Sequence, residues 1–93
     1  MDEDETRAAR RRKLSFRAWR RGFKEADILL GHFADEALAV MDDGDLDAFE
    51  ILLEVPDQDL YGWIIERETA PQMYQTKILH KLNQFYKTAY KKI

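Results

Sequence analysis

Ninety-three residues without a cysteine, 45% of them apolar and 35% charged, describe one soluble-type domain with a single modest core. They exclude disulfides, thiolate catalysis and cysteine metal sites. The net charge is −3, and no apolar run approaches the roughly 20 residues that span a bilayer.

In chain order, the acidic start Met1-Asp2-Glu3-Asp4-Glu5 suits neither a secretory leader nor an organelle transit peptide. Residues 1–6 are expected to form a disordered tail, and residues 7–93 a single helical domain. From Arg7 to Arg21 the chain reads as a basic helix with a thin apolar stripe, Leu14 and Ala18, with Phe16 and Trp19 to one side. Gly22 interrupts it, since Gly costs about 1 kcal/mol relative to Ala inside a helix. A second helix is predicted over about 23–41, where Ala26, Leu29, Leu30, Phe33, Ala34, Ala37, Leu38 and Met41 recur on one face.

The turn residues Asp42-Asp43-Gly44-Asp45 end that helix. A third is predicted over about 46–55, capped by Asp45 or by an Asp47–Glu50 box, and Pro56 stops it. A short fourth helix is predicted over 59–68. A fifth has Pro71 in its first turn and runs to about Lys91, with Tyr74, Ile78, Leu82, Phe85 and Ala89 on one face. No segment sustains period-two alternation, so the fold class is all-α, a compact five-helix bundle.

Charge is segregated along this path. Residues 7–24 hold nine Arg or Lys and no acid, whereas residues 25–59 hold twelve Asp or Glu and no Arg or Lys. The plainest account is a basic arm packed on an acidic body. The alternative is a small basic-helix nucleic-acid-binding module, in which Arg10, Arg11 and Arg12 neutralise phosphates.

Enzyme signatures are lacking. His32 and His80 fall on different helices, and no zinc-protease, phosphate-loop or nucleophile-elbow pattern is present. Asp42, Asp43, Asp45 and Asp47 miss the spacing of a calcium loop and read as turn and cap residues. An aromatic flavin-carrying pocket built from Trp19, Tyr61 and Trp63 is a third reading, set against the commoner role of such residues in a core.

The seam between the charge blocks is Arg20-Arg21-Gly22-Phe23-Lys24-Glu25-Ala26-Asp27. An Arg21–Glu25 pair four residues apart is a weak account, since Arg precedes Glu and Gly22 lies between them. If Gly22 is the N-cap of the second helix, Glu25 stands at the third helical position, where its carboxylate meets the positive helix end. That leaves Arg20 and Arg21 unexplained. Arginines beside a glycine make a docking site for a partner. On the residues alone the two readings stand together.

Arg21-Gly22-x-x-Glu25-x-Asp27 resembles the RGxxE signature of the SdhE family, bacterial relatives of the mitochondrial succinate dehydrogenase assembly factor 2. Leu29-Leu30 and Phe33, then Phe49-Glu50-x-Leu52-Leu53-Glu54 and Asp57-x-Asp59-Leu60-Tyr61-x-Trp63, extend the resemblance over roughly residues 14–66.

The resemblance implies a five-helix assembly factor that is not an enzyme. Its partner would be the flavoprotein subunit of succinate dehydrogenase, or of fumarate reductase, on which it promotes covalent attachment of FAD to a histidine. Arg20, Arg21, Gly22, Glu25 and Asp27 would form the partner-binding surface. The chain itself would hold no cofactor stably and no metal, the FAD belonging to the partner. It would bind no nucleic acid, be a monomer when free and work in the bacterial cytoplasm. Substituting Arg21, Gly22 or Glu25 is then expected to lower flavinylation while the helical fold survives.

Overall fold

The computed structural model describes residues 3–90, and side chains from Glu5 to Thr88. Five α-helices follow one another: α1 (Glu3–Ala18), α2 (Lys24–Ala37), α3 (Asp43–Leu53), α4 (Asp57–Ile64) and α5 (Lys77–Phe85). Short 3-10 turns lie at Leu38–Val40 and Gln72–Tyr74, and a π turn at Tyr86–Tyr90. No strand occurs among the described residues, so the all-α expectation holds.

The core follows from the apolar spacing. Leu14 and Ala18 of α1 are buried against Leu29, Leu30, Phe33 and Ala34 of α2. Phe33 joins the helices further apart, with its ring 5.7 Å from Phe49 of α3 and 5.7 Å from Phe85 at the end of α5. Leu46, Leu52, Leu60, Ile64, Ile78 and Leu82 complete the same cluster.

Helix boundaries differ from the sequence expectation at several points. Helix α1 begins at Glu3, so residues 3–6 form its first turn rather than a tail, and Glu5 there suits the positive helix end. Met1 and Asp2, and the predicted last turn at Lys91, lie outside the described residues. The cap of α3 is Asp42, whose Oδ1 accepts the Asp45 N–H at 2.8 Å, not Asp45 or Asp47. Pro71 opens a 3-10 turn. Helix α5 starts only at Lys77, where the Thr76 hydroxyl accepts the Leu79 N–H at 3.3 Å.

Helix α4 ends one turn earlier than expected, at Ile64. Arg67 N–H reaches back to the Gly62 carbonyl at 2.9 Å and Glu66 N–H to the Trp63 carbonyl at 3.3 Å. Those two bonds are a Schellman closure, which places the residue after the cap in the left-handed region. That residue is Glu66, at φ 64°. Replacing it with glycine should raise stability by roughly 0.5–1 kcal/mol in urea unfolding, because a Cβ is disfavoured there. The exposed pairing of Glu66 with Lys87 Nζ at 2.6 Å, lost in the variant, offsets only part of that gain.

Candidate functional site

The two charge blocks meet inside the molecule. Arg7 Nε lies 3.0 Å from Asp43, Arg10 Nη2 lies 2.5 Å from Asp47 and 2.9 Å from Glu50, and Arg17 approaches Glu50 at 4.0 Å. Arg11 donates to the carbonyls of Leu38 at 2.8 Å and Met41 at 2.7 Å, closing the C-terminal end of α2. Four of the cations on α1 are therefore engaged in holding it to α2 and α3, which removes the main support for a phosphate-binding helix. Their partners also explain the acidic run. Asp42 caps α3, Asp43 and Asp47 pair with α1, and Asp45 Oδ1 meets Lys77 Nζ at 3.1 Å.

These contacts set the acid response of the fold. A hydrogen bond from Arg7 holds the Asp43 carboxyl below its ordinary range, and one from Lys77 does the same for Asp45. A carboxyl whose folded pKa is lowered adds stability above its unfolded value, and that stability is lost as pH falls through the lowered folded value. Melting midpoints should hold steady above about pH 5 and fall progressively below about pH 4, with Asp45→Asn flattening part of that drop.

At the seam, α1 ends at Ala18 and α2 starts after Phe23, which takes the N-cap position in an extended conformation and gives no side-chain cap. Gly22 is thus not the cap, and Glu25 stands at the second helical position instead of the third. The amides ahead of α2 are satisfied from elsewhere: Arg21 N–H donates to Asp27 Oδ1, and Gly22 N–H donates to Asp57 Oδ2 at the start of α4.

The Arg21 side chain turns inward and is only 8% exposed. Its Nη1 donates to the Leu53 carbonyl at 2.7 Å and its Nη2 to the Val55 carbonyl at 3.1 Å, across the end of α3. Its Nε lies 2.7 Å from Asp57 Oδ1. The angle there does not make an aligned hydrogen bond, so charge attraction holds this contact. One guanidinium thereby ties the α1–α2 corner to the α3–α4 loop.

The five candidate residues divide into two groups. Arg21 and Asp27 are half-buried and engage their polar groups inside the molecule, Asp27 within the seam and Arg21 across to the α3–α4 loop. Arg20, Gly22 and Glu25 are exposed. The Arg20 guanidinium rests 3.8 Å above the Phe16 ring, whose residue is 58% exposed. Glu25 has no hydrogen bond or ion pair among the described residues. A Cβ at position 22 would overlap Asp57 Oδ2, so glycine both leaves the surface bare and admits the Asp57 carboxylate. Sequence reasoning did not place Asp57, Leu53 and Val55 in the site. Leu53 and Asp57 lie in the blocks that carry the resemblance, but no local pattern ties them to the seam, because the contacts span more than 30 residues.

Other candidates are dispersed. Trp19, Tyr61 and Trp63 each face a different ring: His32 at 5.1 Å, Phe23 at 5.1 Å and Tyr74 at 5.0 Å. Among the described residues no group of His, Cys, Asp or Glu could hold a metal ion, and no helix is long and apolar enough to cross a membrane.

Comparison with known proteins bears on the same region. Residues 12–86 match the family model Sdh5, described as flavinator of succinate dehydrogenase. The chain is 40% identical over 75 residues to the FAD assembly factor SdhE of Acetobacter pasteurianus, covering 81% of this chain and 69% of that protein. It is 33% identical over 69 residues to the mitochondrial succinate dehydrogenase assembly factor 2 of Dictyostelium discoideum, covering 74% and 49%. The corresponding protein of Danio rerio is 31% identical over 80 residues, covering 84% and 51%. The chain spans about half the length of these two mitochondrial relatives. A match that runs from α1 through α5 and takes in the whole seam makes this chain a member of the Sdh5 family, the flavinators of succinate dehydrogenase.

Proposed function

We propose that this chain is an assembly factor that binds the flavoprotein subunit of succinate dehydrogenase and promotes covalent attachment of FAD to it. The observation that carries the reading is the family match over residues 12–86, which contains the seam and every element that positions it. The chain supplies no reacting group. It acts by holding the flavoprotein in the conformation that aligns flavin and histidine, so the rate gain comes from positioning. FAD stays with the partner throughout.

Within the seam the roles divide by exposure. Arg20 and Glu25 meet polar groups of the flavoprotein, and bare Gly22 lets the two backbones approach. Arg21 and Asp27 set the shape of that surface from beneath. The same surface would serve the flavoprotein of a fumarate reductase. The free chain is a monomer that works in the bacterial cytoplasm; the relative at 40% identity supports the bacterial part of that reading.

Co-expression with the flavoprotein subunit tests the reading, with covalent flavin detected as fluorescence on a denaturing gel. Signal should rise with the chain present. An equal signal in cells lacking the chain would overturn the proposal. Glu25→Ala should lower covalent flavin about tenfold, the effect of losing roughly 1.4 kcal/mol of docking. Its melting midpoint should fall by no more than a few degrees, because the Glu25 carboxylate has no partner among the described residues and gives up only its place in the first turn of α2.

A further inference from the structure

On the far side of the loop that Arg21 holds lies a groove of about 410 Å³, walled by Trp63 and Tyr74 and flanked by the carboxylates of Glu54 and Asp59. It continues into a second, more apolar hollow of about 250 Å³ through the shared residues Ile51 and Tyr74. Two large apolar side chains stand open along this path, Ile51 at 51% exposure and Met73 at 74%.

Three observations say what would fill it. First, Trp63 and Tyr74 pack with their rings 5.0 Å apart at 37°, both half-buried, which offers aromatic surface of the kind that attracts a cation. Second, Glu54 and Asp59 are exposed, and their carboxylates make no hydrogen bond or ion pair among the described residues, unlike those of most acids of the central block. Third, Glu54 is the C-cap residue of α3. The carbonyls on either side of it, Leu53 and Val55, are taken by Arg21, so the Glu54 carboxylate has no task in closing that helix.

We propose that this groove is a second docking surface, for an extended protein segment that places an Arg or Lys between Trp63, Tyr74, Glu54 and Asp59. Apolar residues beside that cation lie over Ile51 and Met73. The match is one of charge and shape: two unpaired anions at one end, an apolar track at the other. It does not depend on the identity of the flavoprotein or on the seam.

The test uses the full chain, labelled with 15N, and two short probes, acetyl-Ile-Arg-Leu-Lys-amide and its acidic counterpart acetyl-Ile-Glu-Leu-Glu-amide. The basic peptide should shift the Trp63 indole and the amides around Ile51, Glu54 and Tyr74 at concentrations up to about 5 mM, the range of a weak short ligand. The acidic peptide should shift none of them. Glu54→Gln with Asp59→Asn should weaken the basic peptide at least tenfold, while the melting midpoint falls by no more than a few degrees as Asp59 gives up its place in the first turn of α4. The proposal is overturned if neither peptide produces shifts, if both produce the same ones, or if shifts gather at Arg20 to Glu25. Concentration-dependent shifts at the groove without peptide would also overturn it, assigning the groove to a second copy of the chain.

Discussion

Arg21→Ala should cost about 3 kcal/mol of stability, at the low end for breaking a buried charge pair because Asp57 keeps some contact with water. The substitution removes two hydrogen bonds to the Leu53 and Val55 carbonyls and the cation beside Asp57 in one step. A domain of this size has roughly 5–14 kcal/mol in total, so the loss is a large share. Urea unfolding should show it directly, and the melting midpoint should fall by about 12–20 °C. Arg21→Lys should recover only part, since an ammonium cannot span two carbonyls and a carboxylate with a planar fork. A stability within about 0.5 kcal/mol of the parent would refute the inward role. The fold is expected to survive the loss of Arg21, but with a much reduced margin. Lost flavinylation in that variant reports on folding as well as docking, and Glu25→Ala is the cleaner probe.

Gly31→Ala should destabilise by about 2 kcal/mol, although the same change in an ordinary helix interior stabilises by up to about 1 kcal/mol. The sign is decided by Trp19. Gly31 is buried in α2, and a Cβ there would overlap three atoms of the Trp19 indole. The indole cannot slide freely, because its edge meets His32 and its Nε1 donates to Asp35 Oδ1 at 3.3 Å. The chain leaving α1 therefore crosses α2 at the one position without a side chain. Trp19→Leu should relieve the clash, so the double variant should be less destabilised than the sum of the two single changes. Strict additivity in urea unfolding would rule out the overlap as the cause.

Much of this architecture was legible in the residues, and the limits have physical causes. The face of α2 was readable because Leu29, Leu30, Phe33 and Ala34 repeat at helical spacing, and all four are buried. The start of α5 was not. Pro71 carries a strong helix-start signal, whereas Thr76 carries a weaker one that lacks the usual acid three residues on. The basic arm on an acidic body followed from block charges, yet the choice of partner for each arginine depends on helix packing. The seam was located from its motif. The opposite orientations of Arg20 and Arg21 were not, since neighbouring residues of one type differ only in what the folded chain brings near them. Gly31 gave no signal beyond an unexplained glycine in a helix.

The amides of Arg21 and Gly22 are already occupied by Asp27 and Asp57 before anything docks. A corner held in this way meets a partner in its final shape. If the seam docks as proposed above, association would lose little conformational entropy from the backbone, and ordering would fall mainly on the exposed side chains Arg20 and Glu25. Encounter with a folded partner surface is limited by orientation and diffusion rather than by a slow rearrangement of this chain. On the proposed function, a corner already formed before docking would be ready for each new partner in turn.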